Sequence, residues 1–164
     1  MPLLCGMYNF AHWLTHDGAE AEDLVQETCL KALKGFGSFR QGTNFRAWVY
    51  KILRNSFLTS RSGLKAATVS LDDDESAVPE PADCETPESI LLAGADYESI
   101  QSALAGLSLP FREVVLLCDV EEMRYQEIAE TLGIPVGTVM SRLSRARKMM
   151  RNSIAGSRAR GASQ

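Results

Sequence analysis

Apolar residues recur along this chain at steps of three and four and never in sustained strict alternation, so the pattern predicts helices and no sheet. Ala21–Lys34 is rich in good helix formers and should end near Gly35 or Gly37. After the loop Phe39-Arg-Gln-Gly-Thr43, either Thr43 or Asn44 can cap a helix whose apolar stripe is Phe45, Trp48, Val49, Ile52, Leu53 and Phe57. Thr86-Pro87 can cap and open another helix through about Leu104, and Pro110 opens one through about Val120. Near the C-terminus Ile128, Ala129 and Leu132 repeat at helical spacing, Gly133 can end that helix, and Pro135 prevents it from running on. From Val136 a further helix places Val136, Val139, Leu143, Ala146 and Met150 on one stripe, which turns Ser141, Arg145 and Lys148 the other way. The expected fold is therefore all-α.

Charge divides the chain. Residues 1–65 carry eight Lys/Arg and five Asp/Glu, residues 66–98 none and ten, and residues 99–164 nine and six, giving +3, −10 and +3 and the net −4. Two small helical domains, 1–65 and 87–164, are expected on either side of a flexible acidic linker, 66–86. Leu71–Pro87 in particular has the prolines and charge of a segment that cannot fold alone. A connector of about 30 residues would have an r.m.s. reach on the order of 30 Å.

Several function classes have no support in the residues. Cys5, Cys29, Cys84 and Cys118 form no Cys-x-x-Cys pair, so neither a zinc ribbon nor a thioredoxin-type site is indicated. His12 and His16 stand four apart, as two ligands on one helical face do, yet no third ligand accompanies them, and no metal is expected. No phosphate loop, Ser-His-Asp set or paired-carboxylate motif announces catalysis, and no cofactor is expected. No apolar run approaches the roughly 20 residues that span a bilayer. Leu3-Leu4-Cys5-Gly6 superficially suggests a lipoprotein cleavage site, but neither a basic segment nor an apolar core precedes Cys5, so a cytoplasmic protein without membrane insertion is expected.

The Tyr125–Lys148 segment has the grammar of a helix-turn-helix. Seven cations and no acidic side chain lie between Val136 and the C-terminus, namely Arg142, Arg145, Arg147, Lys148, Arg151, Arg158 and Arg160. Phosphates attract such a helix whatever the sequence, while side chains in its outward N-terminal half can touch base edges. A plain helical hairpin with a solvated basic face would show much of the same pattern.

At this point the chain resembles bacterial RNA polymerase sigma factors of the extracytoplasmic-function type. Ala21-Glu-Asp-Leu-Val-Gln-Glu-Thr28 and Phe39–Asn55 resemble the family's second region; Leu107-Ser-Leu-Pro-Phe-Arg-Glu-Val-Val-Leu-Leu117 and Tyr125–Lys148 resemble its fourth. The resemblance implies a promoter-specificity subunit, with core RNA polymerase, promoter DNA and an anti-sigma factor as partners. It implies polymerase contacts for Asp23, Gln26 and Glu27, which by themselves read as a solvated helix face. It implies a pocket for an extruded minus-ten base shaped by Phe39 and Asn55, with Tyr50, Lys51 and Arg54 on the promoter-facing side of the same helix. An unstacked base needs an apolar wall and a polar group that reads its edge, although Phe39 equally reads as a core aromatic. Trp48, on the apolar stripe, is core first and DNA contact second. For the minus-thirty-five element the resemblance implies Thr138, Ser141, Arg142, Ser144, Arg145 and Lys148, with Thr138 suited to phosphate near the helix start.

The chain departs from the family pattern in three places. It is short before the part matching Leu3–Leu14, which leaves the second-region bundle expected to lack some of its cover. Arg124 replaces a common capping Ser, and Met140 replaces a common Arg. The rival readings are a stand-alone helix-turn-helix regulator, for which the Asp23–Glu27 and Phe39–Asn55 motifs are superfluous, and a sigma mimic that sequesters an anti-sigma protein, against which the cationic Arg142–Arg151 helix speaks.

Overall fold

Among residues 2–64 and 97–162, which the computed structural model describes, every regular element is helical. They form two compact units. The expected linker 66–86, with the Thr86-Pro87 cap, lies outside the described residues.

The first unit begins with α1, Pro2–Thr15, where Met7, Phe10, Ala11 and Leu14 at helical spacing are buried against the two helices that follow. This helix, which the apolar pattern had not delimited, supplies core for the whole unit. His16 follows with φ 57° and Asp17 then caps α2, Gly18–Gly35, by accepting the Glu20 amide at 2.9 Å. His16 thus lies beyond the end of α1, so the four-residue spacing does not set it on one helical face with His12.

Only Ala21, Leu24 and Thr28 of α2 are buried, and the Thr28 hydroxyl is spent on the Leu24 carbonyl at 2.7 Å. A 3-10 turn, Phe36–Ser38, and the left-handed Gly42 at φ 94° lead to α3, Phe45–Leu64. Of the two capping candidates Asn44 does the work: its side chain accepts the Ala47 amide at 3.1 Å, while the Thr43 hydroxyl donates to the Arg40 carbonyl at 2.7 Å. Ala47, Val49, Tyr50, Leu53, Ser56 and Phe57 form the buried side of α3.

In the second unit α4, Tyr97–Ala105, buries Ala103 and Leu104. Ser108 and Pro110 open α5, Leu109–Val115, which widens into a π turn over Leu116–Val120. The Arg112 guanidinium turns inward and donates to the carbonyls of Leu104, Ala105 and Leu107 at 3.2, 2.9 and 2.7 Å, satisfying the end of α4. Helix α6, Tyr125–Leu132, whose second half from Ala129 groups with the first unit, ends at Gly133, whose φ of 68° lets its amide reach the Ala129 carbonyl at 2.8 Å. Arg124 offers no capping oxygen, but Glu127 reaches back to accept the Arg124 amide at 2.8 Å, so half of a capping box survives the missing Ser. Helix α7, Val136–Gly161, buries Val139, Leu143, Ala146, Met150 and Ile154, and α4 and α5 pack on it. Val136, expected on that stripe, is only half-buried at the helix start.

Candidate nucleic-acid interface

In the first unit the end of α2 and the start of α3 gather four aromatic rings. Phe39 lies 5.1 Å from Trp48 and 5.4 Å from Phe45 between centroids, and Phe36 lies 6.1 Å from Phe39. Phe36 and Phe45 remain 56% and 40% exposed, so this is an aromatic surface with a half-buried centre. Beside it is an open cavity of about 350 Å³ walled by Lys31, Ser38, Trp48, Asn55, Ser56 and Thr59 among others. A base fits such a volume, and the wall offers both a π face and hydrogen-bonding groups.

The residues expected to face the minus-ten element separate into four groups. Asn55 is exposed and lines the cavity. Phe39 does not line it; its ring backs Trp48, which does. Lys51 and Arg54 share the Asn55 face of α3, exposed and half-buried respectively. Tyr50 is the correction: it is fully buried, with its ring 5.5 Å from that of Phe10, and cannot face a promoter from there. The bulk of an aromatic one position beyond Val49 is better accommodated under α1 than in water.

Lys31 was not singled out by its motif, yet it joins two features. Its Nζ donates to the Glu27 carboxylate at 2.6 Å and to the nearly buried Ser56 hydroxyl at 2.9 Å, inside the cavity wall. On the outer face of α2, Asp23, Gln26 and Glu27 are exposed as expected, and Leu30 and Leu33 extend that face while 58% and 75% exposed.

In the second unit the outward face of α7 carries Ser141, Ser144, Arg145 and Lys148, with Thr138 and Arg142 at its flanks. Arg145 and Lys148 are exposed, and the other four are half-buried. The Ser141 hydroxyl donates to the Thr138 carbonyl at 3.1 Å, so its lone pairs are what it can offer a base or an amide. Met140, in the second turn, is 45% exposed.

The seven cations of this segment are not equivalent. Arg147 turns inward to a fork on Asp119, Nη2 to Oδ1 at 2.6 Å and Nε to Oδ2 at 3.3 Å, with its side chain only 14% exposed. Cys118 sits beside this pair, and burial together with the Asp119 charge pushes its thiol up to about 11. Nothing in the sequence links Asp119 to a residue 28 positions later. Among the described residues no group of three or more potential metal ligands comes together, and no helix is long and apolar enough to cross a membrane.

Comparison with known proteins finds two family matches along the chain. Residues 3–65 match the Sigma-70 region 2 family, and residues 97–150 match the Sigma-70, region 4 family. The chain is 36% identical over 151 residues to the ECF RNA polymerase sigma factor SigE of Mycolicibacterium smegmatis, covering 91% of this chain and 57% of that one. It thus spans little more than half the length of that relative. It is 33% identical to EcfG of Rhodopseudomonas palustris, covering 86% of this chain and 75% of the relative. With the RNA polymerase sigma factor YlaC of Bacillus subtilis it shares 31% identity, covering 92% and 86%. Among solved structures, the sigma factor RpoE of Bartonella quintana, in complex with the anti-sigma factor NepR, is similar with a TM-score of 0.69 and 30% identity, covering 94% of this chain and 92% of that one. CnrH in complex with the cytosolic domain of CnrY shares the fold at a TM-score of 0.64 and 22% identity.

Proposed function

The chain belongs to the sigma-70 family, among its extracytoplasmic-function members, and from that membership we propose how its two units divide the work of promoter recognition. The first unit docks on core RNA polymerase through Asp23, Gln26 and Glu27, with Leu30 and Leu33 adding apolar area to the same face. It reads the minus-ten element with Asn55 at the cavity, while Lys51 and Arg54 meet the strand's backbone. The second unit lays the outward face of α7 in the major groove of the minus-thirty-five element, using Thr138, Ser141, Arg142, Ser144, Arg145 and Lys148. Tyr50 has no part in this reading. The single observation that carries it is the presence in one chain, in this order, of both matched regions. A lone DNA-binding regulator requires only the second.

Each unit alone holds DNA weakly, and the joint hold on two elements sets affinity through effective concentration. We assign the chain no reaction of its own, and place it in the cytoplasm, where polymerase and genome are. An anti-sigma protein is a further proposed partner, supported by the likeness to a sigma factor solved with one.

Transcription by purified core polymerase on a promoter library, with the wild-type chain and with Asn55→Ala and Arg145→Ala, tests the division. Asn55→Ala should change preference at one minus-ten position and Arg145→Ala in the upstream element, each at about 1–3 kcal/mol for a lost base contact. If both variants shift the same element, the division is wrong. Tight duplex binding by the wild-type chain with no response to polymerase would instead identify a stand-alone regulator.

A further inference from the structure

Lys31 is the one cation in the wall of the first unit's cavity, among its lining residues, and it is held there from two sides. Ser56 Oγ receives one Nζ hydrogen at 2.9 Å and Glu27 Oε1 another at 2.6 Å. An ammonium has three hydrogens to give and nothing with which to accept. The neighbouring hydroxyls are committed as donors to the chain itself, Ser38 to the Gly35 carbonyl at 2.7 Å and Thr59 to the Asn55 carbonyl at 2.8 Å, which leaves them as acceptors. The wall's donors toward an incoming oxygen are therefore Lys31, the Asn55 amide, the Trp48 indole N–H and the Ser56 hydroxyl, and of these Lys31 alone carries charge.

We propose that Lys31 is a recognition residue of this cavity, presenting its ammonium to an oxygen of the single DNA strand, and that Glu27 and Ser56 position it. The inference rests on the reading of the cavity as the minus-ten site. Its ligand chemistry is an oxygen acceptor, either a base carbonyl or a phosphate. The Glu27 pair is half-exposed, so it constrains the lysine without trapping it, as surface pairs do. Because Glu27 also stands on the proposed docking face, the same carboxylate that faces polymerase aims the lysine at DNA.

The experiment uses holoenzyme assembled from core polymerase and the full chain, selecting from a randomised single-stranded oligonucleotide library. The selected oligonucleotide is then titrated across a salt series with wild type, Lys31→Met, Lys31→Arg and Asn55→Ala. Lys31→Met keeps the stem and removes the donors, and should lower affinity by about tenfold, with Lys31→Arg recovering most of it. If the partner oxygen is a phosphate, the loss is shared by all sequences and the salt slope falls by about 0.7. If it is a base carbonyl, the slope holds and the selected base at one position changes. An unchanged affinity, slope and base preference for Lys31→Met, while Asn55→Ala still loses binding, overturns the role of Lys31 alone. Loss of effect in both variants, with polymerase binding intact, overturns the reading of the cavity itself.

Discussion

Arg147 and Lys148 are adjacent cations on the proposed recognition helix, and the structure gives them opposite duties. The Asp119 and Arg147 side chains are 9% and 14% exposed and joined by two hydrogen bonds. Removing one partner of so buried a pair leaves a charge without compensation and costs about 3 kcal/mol, whereas removing both costs far less. Asp119→Ala should therefore lower the protection of the α7 core amides against hydrogen exchange by about a hundredfold. Asp119→Ala with Arg147→Met should restore most of it. On DNA the order reverses. Lys148 is exposed on the outward face, and Lys148→Ala should reduce the slope of log affinity against log salt by about 0.9, one phosphate's share, between about 50 and 200 mM salt. Arg147→Met should leave that slope alone, since its guanidinium is turned away from solvent. If Arg147→Met flattens the salt dependence while amide protection is unchanged, the ion pair is not what holds α7, and the inward assignment fails.

Three further outcomes follow from local geometry. At pH 8 Cys118, with its thiol pushed up to about 11, should alkylate far more slowly than the exposed Cys5, by on the order of a hundredfold from thiolate fraction; its rate should climb through pH 9 to 11, and Asp119→Asn should quicken it by removing a charge that opposes ionisation. Arg124→Ser should complete the half-made capping box and stabilise α6 by about 1 kcal/mol, read as a rise in thermal midpoint, while Glu127→Ala should lower it. Gly133→Ala should cost about 1 kcal/mol in the same assay; an added Cβ meets nothing within 4 Å, so the cost is that of φ 68° alone, and Gly133→Asn should cost less.

Where turns and caps are written in short-range chemistry the sequence was legible at three helix ends, with Asn44 (one of two candidates), Gly133 and Pro135 standing where helices α3, α6 and α7 begin or end, but not at Asp17, which caps α2 at Gly18, three residues before the expected start. The apolar stripe of α7 was legible for the same reason, since a step of three or four residues defines a face without knowledge of the partner. On α3 Val49, Leu53 and Phe57 are buried as expected, but Phe45 is exposed and Trp48 and Ile52 are half-buried, because the buried face is turned toward Ala47, Tyr50 and Ser56. The π turn over Leu116–Val120 was not legible, because a widened turn changes no residue type. Neither was the inward path of Arg112, whose acceptors are backbone carbonyls present at every position.

The residues placed least well by sequence are those at the flanks of a stripe. Tyr50 follows Val49 and Arg147 follows Ala146, each about 100° around its helix from a core position, where periodicity leaves the side chain's direction open. Both have long side chains that can reach either way, and in both the direction is decided by a partner remote in the chain: Phe10 on α1 for Tyr50, Asp119 for Arg147. Lys31 shows the same rule in reverse, an ordinary cation of an i,i+4 pair until Ser56, 25 residues later, draws it into a cavity wall. At the edges of both proposed interfaces side-chain direction is therefore chosen by tertiary partners and not by helical phase, which is why the burial of Tyr50 could not be read from its position beside Val49.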